Sequence, residues 1–167
     1  MNYFKLFDLP ESFNINVKLL TKNFYKLQRQ FHPDKINYHP EYAKEDMLKH
    51  SILINKGYRV LKDFLKRAEY LLLLNGFNLQ DKKNILCDKD FLIEQFNFYE
   101  EIEKIKKLPL DLMRINDISM RIKKINNQYY TELIQRLKEK KWNQAMFILH
   151  KLLFFKKLKM SIDKIQC

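Results

Sequence analysis

The chain has 167 residues, a formal net charge of +12 and 46% hydrophobic residues, with only 2 Gly and 4 Pro. That apolar content excludes a disordered chain, and the scarcity of turn residues excludes a β-sandwich or a doubly wound sheet. An anionic partner is implied by the charge, although Lys, Asn, Ile, Phe and Tyr are abundant throughout, as an AT-rich genome favours, so part of the charge is ordinary decoration of solvated faces.

In chain order, a short apolar segment from Tyr3 to Leu9 ends at Pro10, and Asn14 or Asn16 can cap the next element. Val17, Leu20, Phe24, Leu27 and Phe31 then recur at helical spacing, one face of a helix of about four turns. Lys18, Lys22, Lys26 and Arg29 line another face, and no acid occurs between Glu11 and Asp34, so that side is purely cationic. His32-Pro33-Asp34 ends this helix, because Pro33 lacks an N–H and disfavours helical geometry at His32. From Pro40 a second helix is predicted, with Met47, Ser51, Ile54, Tyr58, Leu61 and Leu65 in one stripe. The two matching stripes predict an antiparallel hairpin. Arg67 to Leu74 reads as a short further helix stopped by Asn75-Gly76.

Residues 77–89 are polar and irregular, a linker by composition. Three helices are predicted beyond it, from about Asp90 to Lys107, Leu110 to Lys138 and Trp142 to Ile162, which suggests a three-helix bundle. Ile115, Ile118, Ile122, Ile125 and Tyr129 mark the core side of the middle one. Tyr129 and Trp142 read as core, and Lys138 to Lys141 as a solvated turn. The first of the three has two apolar faces. Phe91, Phe98, Ile102 and Ile105 make an adequate core stripe, while Leu92, Ile93, Phe96 and Tyr99 form a second, adjacent surface. The surplus is either a wider core or a docking patch. The carboxylates Glu94, Glu100, Glu101 and Glu103, a polar rim in a chain dominated by Lys, favour docking.

A His-Pro-Asp tripeptide alone is weak evidence, but this one sits in the loop of a helical hairpin directly after a basic face. With Gln28, Arg29 and Lys35 around it, and Ile54, Asn55, Tyr58 and Leu61 in the next helix, the segment resembles the J-domain family. General J-domains often carry Ala where this chain has Gly57. The resemblance implies that His32, Pro33 and Asp34, with the cations Lys22, Lys26, Arg29 and Lys35, engage an Hsp70-type chaperone and stimulate its ATPase. A proline-stiffened loop loses little ordering entropy on binding, and the cationic face can speed encounter with an acidic surface.

Met1-Asn2-Tyr3-Phe4, Leu27 to Lys35, Arg67-Ala68-Glu69-Tyr70-Leu71-Leu72, Gly76-Phe77 and Phe91 to Gln95 extend the likeness over nearly the whole chain. In these blocks the sequence resembles the HscB-type co-chaperones of bacterial iron–sulfur cluster assembly, and generic J-domains lack the Arg67-to-Leu72 block. The fold implied is all-α: a J-domain over 1–76, with a helical hairpin and short flanking helices, a linker over 77–89 and a C-terminal three-helix domain over 90–167. In that family the C-terminal domain binds the cluster scaffold protein (IscU-like) and hands it to a specialised, HscA-like Hsp70. The scaffold-binding positions map onto Leu92, Ile93, Phe96, Glu100 and Phe154, while Asn97 and Lys104 stand where the family can carry acids.

No catalytic constellation stands out, and the chain is not expected to be an enzyme. Four histidines (His32, His39, His50, His150) with Cys87 and Cys167 match no common ligand spacing, so neither metal nor cofactor is expected. No apolar run could span a bilayer and no signal peptide is evident, so a cytoplasmic protein is expected, with no membrane partner. The rival readings are a generic J-domain protein with another client, or a basic helical nucleic-acid binder. The latter is disfavoured because the C-terminal aromatics fall on apolar stripes rather than between cations.

Overall fold

Asn2 opens the first helix, its side chain accepting the Phe4 N–H at 2.8 Å, and α1 runs Tyr3–Leu6. The structure, a computed structural model, describes residues 2–31, 44–80, 88–107 and 111–166. Helix α2 spans Val17–Gln30 and is capped by Asn16, which accepts the Leu19 N–H at 3.0 Å; Asn14 serves instead as a carbonyl acceptor for Ser12. Helix α3 (Lys44–Lys62) starts with Glu45 and Asp46 and ends with Arg59 and Lys62, charges that suit the helix dipole. Helix α4 covers Phe64–Leu74. The remaining helices are α5 (Lys89–Lys107), α6 (Leu112–Lys138) and α7 (Trp142–Gln166). No helix among the described residues is long and apolar enough to cross a membrane. The chain divides into two compact units, Met1–Asn75 and Gly76–Cys167.

In the first unit α2 and α3 pair antiparallel. Thr21 meets Tyr58, Gln28 meets Asn55 and Phe31 stacks on His50, so one helix ascends as the other descends. Leu20, Phe24, Met47, Ile54 and Leu61 are buried between them and their neighbours. Leu65 does not continue the α3 stripe. Asp63 leaves helical geometry (ψ 129°) and its carboxylate accepts the Lys66 N–H at 2.9 Å, so a new helix starts at Phe64 and Leu65 is buried from α4.

Gly57 has a definite task. A Cβ there would lie 2.9 Å from Tyr3 Cδ1 and 3.1 Å from Phe7 Cε2, so the missing side chain is what lets α1 and the turn after it lie on α3. Gly inside a helix costs about 1 kcal/mol relative to Ala, and close approach is its return. Gly57→Val is therefore expected to destabilise this unit by about 3 kcal/mol, because two further methyl groups meet aromatic rings with no room to move. Hydrogen-exchange protection of the α3 amides would report the loss.

The second unit is a three-helix bundle. Phe98, Ile102 and Ile105 of α5, Ile115, Ile118 and Ile122 of α6, and Phe155, Leu158 and Ile162 of α7 form one buried cluster, three side chains from each helix. Tyr129 packs on this cluster half-buried rather than inside it, and Trp142 is half-buried at the start of α7 and outside it. The turn from α6 to α7 closes with Lys141 N–H on the Arg136 carbonyl and Lys140 N–H on that of Leu137. Lys140 takes the left-handed position (φ 56°) that usually belongs to glycine.

Candidate functional site

Lys18, Lys22, Lys26 and Arg29 are all exposed on α2, opposite the buried Leu20 and Phe24. None of them makes an ion pair among the described residues; Arg29 only donates from Nε to the Tyr25 carbonyl at 3.3 Å. Elsewhere Lys49 of α3 pairs with Glu45, and in the second unit Lys104, Lys106, Arg114, Arg121, Arg136, Lys141 and Lys151 each pair with a carboxylate. Four cations without an ion pair are thus aligned on one face of α2, where they add to one positive field. His32, Pro33, Asp34 and Lys35 lie outside the described residues. The described chain reaches them through Phe31, whose N–H closes α2 on the Leu27 carbonyl and whose ring stacks on His50 at 4.9 Å.

On α5 the packing chooses between a wider core and an exposed patch. Phe98, Ile102 and Ile105 are buried, while Leu92, Ile93, Phe96 and Tyr99 are 52%, 60%, 63% and 50% exposed. Phe154 of α7 is half-buried at the edge of this surface, edge-on to Tyr99 at 5.6 Å and to Phe91 at 5.6 Å. Leu92, Ile93, Phe96 and Glu100 therefore lie together on one helix, and Phe154 joins them through Tyr99. Glu100 pairs with Lys104 at 3.4 Å, which offsets the negative charge at this end of the patch.

The start of α5 is pinned. Asp88 accepts the Phe91 N–H at 3.1 Å and takes Lys151 Nζ at 3.0 Å. That ammonium also lies 4.6 to 5.4 Å from the ring centroids of Phe147, Phe91 and Tyr129. Burial pulls the Lys151 pKa down, but the hydrogen bond to Asp88 and the neighbouring Tyr129 carry it above its usual range, and Lys151 in turn holds Asp88 below the ordinary carboxylate range. One lysine of α7 thereby ties α5 and α6 together beside the exposed face.

Comparison with known proteins gives this geometry a family. Residues 87–163 match the family model described as the HSCB C-terminal oligomerisation domain. The co-chaperone protein HscB of Buchnera aphidicola subsp. Acyrthosiphon pisum is 40% identical over 164 residues, 98% of this chain and 94% of that protein. The chain belongs to the HscB co-chaperone family. Chaperone HscB from Vibrio cholerae superposes with a TM-score of 0.83 at 32% identity, over 99% of this chain and 98% of that one. Human co-chaperone HscB gives 0.81 at 25% identity, over 98% and 81%. The Jac1 co-chaperone of Saccharomyces cerevisiae gives 0.73 at 20% identity, over 97% and 90%, and shares the fold.

The HscB fold is all-α, a J-domain followed by a C-terminal helical bundle, and the structure shows what the Arg67-to-Leu72 block does. Arg67 is the one charged side chain buried among the described residues. Its Nη1 donates to the Leu61 carbonyl at 2.6 Å, at the end of α3, and its guanidinium lies 4.9 Å from the ring centroid of Phe13, which packs edge-on against Phe64. Burial holds its pKa below the usual range. Tyr70 stacks on Tyr3 at 4.7 Å and its hydroxyl accepts the Tyr3 N–H. Ala68, Leu71 and Leu72 are buried. These residues lock α4 to α3 and to the N-terminal segment.

Arg59, Lys62 and Lys66 gather beside Tyr58, a grouping that the apolar stripes of the sequence do not reveal. Their spacing of three and four is a usable signal, but it crosses the helix break at Asp63, which divides it between α3 and α4. Among the described residues no group of three or more potential metal ligands converges; His32, His39, Cys87 and Cys167 lie outside them.

Proposed function

We propose that this co-chaperone serves iron–sulfur cluster assembly as a two-ended adaptor. The first unit engages an HscA-like Hsp70 through His32-Pro33-Asp34, with Lys22, Lys26, Arg29 and Lys35 meeting an acidic surface, and stimulates its ATPase. The second unit holds an IscU-like scaffold protein on Leu92, Ile93, Phe96, Glu100 and Phe154. The chain does no chemistry of its own and needs neither metal nor cofactor. It works in the cytoplasm.

The observation that carries this reading is the apolar surface of α5. The bundle is already closed by a complete core, yet Leu92, Ile93, Phe96 and Tyr99 remain in solvent on a helix that could have been polar there. Large exposed apolar groups at contiguous positions, flanked by charged side chains, suit a protein interface. Unpaired cations on α2 fit the other end, because a rim of one sign accelerates encounter with a partner of the other.

Single-turnover ATP hydrolysis by the HscA-like Hsp70, with and without scaffold, tests both ends. Asp34→Asn is expected to reduce stimulation at least about tenfold, since a carboxylate engaged in a charged contact contributes on the order of 1.5–3 kcal/mol. Wild-type stimulation by this variant would refute the Hsp70 assignment.

A further inference from the structure

The edge of the α2–α3 hairpin carries a second cationic surface. Phe24 and Tyr58 stack across the two helices with ring centroids 3.9 Å apart and planes 13° from parallel. The hydroxyls of Thr21 and Tyr58 lie 3.3 Å apart, and Gln28 donates to Asn55 at 3.1 Å. Beside these contacts lies an open groove of about 570 Å³, lined by Phe24, Asn55, Tyr58, Arg59, Lys62 and Lys66, with Asp63.

Arg59, Lys62 and Lys66 are all exposed and make no ion pair among the described residues. The one carboxylate lining the groove, Asp63, is engaged in capping α4. Lys62 Nζ sits 5.3 Å from the Tyr58 ring centroid. The Thr21 hydrogen bond, and after it Lys62, hold the Tyr58 hydroxyl below its usual pKa. Tyr25 is 55% exposed and packs on Phe24 at 5.4 Å, so it joins the groove to the basic face of α2.

The geometry points to a docking groove for an acidic segment of the Hsp70-type partner, formed by Arg59, Lys62 and Lys66 around Tyr58 and continuous with the α2 face. This rests on the partner class proposed above and widens its contact from one helix to three. Three cations supply donors for carboxylates, and the Asn55 amide keeps a second N–H beyond the one given to the Ser51 carbonyl. The groove suits single-stranded nucleic acid poorly, because Phe24 already occupies a face of the Tyr58 ring and Lys62 lies over it, leaving little of a stacking platform for bases.

The test titrates the full chain into the HscA-like Hsp70, reading single-turnover ATP hydrolysis at low and high salt. A variant with Arg59→Ala, Lys62→Ala and Lys66→Ala is expected to need roughly tenfold more protein for half-maximal stimulation, with the maximum unchanged and a shallower salt dependence. The charge-keeping variant Arg59→Lys, Lys62→Arg and Lys66→Arg should titrate like wild type; equal losses in both variants would make the residues structural and overturn the groove. If the alanine variant titrates like wild type while Asp34→Asn is inactive, the groove inference falls and the partner assignment stands. If Asp34→Asn is fully active, the partner assignment itself fails and takes the groove with it. A single-stranded oligonucleotide whose binding depends on the three cations, with an unmoved Hsp70 titration, would likewise overturn the proposal.

Discussion

A chain carrying Phe96→Ala is expected to bind the proposed cluster scaffold partner about 30-fold more weakly, a loss of about 2 kcal/mol, while stimulating the proposed Hsp70 partner in the absence of scaffold as the wild type does. Phe96 is 63% exposed, the most exposed of the four apolar side chains on its face, and Leu92, Ile93 and Tyr99 surround it. A large ring amid near-neutral contacts is the kind of residue that carries most of an interface's energy. Since it supports little of the bundle, its truncation should change stability by no more than about 0.5 kcal/mol. The J-domain cations lie in the other unit and are untouched. Calorimetric titration of scaffold into the two proteins decides the matter, and an unchanged affinity would remove the α5 face from the functional reading.

Phe155→Ala should do the opposite: destroy stability rather than spare it. Phe155 is fully buried, with ring centroids of Phe154 at 5.2 Å, Phe98 at 5.4 Å, Tyr129 at 6.0 Å and Phe91 at 6.3 Å. Removing a ring from such a site loses its transfer free energy and leaves a cavity, a combined cost of about 4 kcal/mol. Against a typical domain stability of about 5–15 kcal/mol, that is a large share. Trp142, the single tryptophan, belongs to this unit and serves as a fluorescence reporter for urea unfolding. A loss below about 1 kcal/mol would mean that the aromatic cluster collapses into the cavity. Phe96 and Phe155 are thus two phenylalanines of one bundle with separable consequences, one for binding and one for folding.

Much of this molecule is legible in one dimension. Apolar stripes at three-and-four spacing, the Asn16 cap and the scarcity of glycine point to an all-α chain and locate its helices closely, because those signals act within a few residues of where they are read. The acid-free stretch before Asp34 declares a cationic face for the same reason. Packing decided the rest. Both apolar stripes of α5 obey the helical period, and only the placement of α6 and α7 determines that Phe98 goes inward and Phe96 outward. Gly57 and Arg67 take their meaning from partners distant in sequence, Tyr3 and Phe13. The Arg59–Lys62–Lys66 groove arises because Asp63 breaks the helix while the three cations stay on one side of Tyr58. Local propensity and periodicity establish which surfaces a helix owns; which of them meets protein and which meets water is set by long-range contacts that no short window of sequence contains.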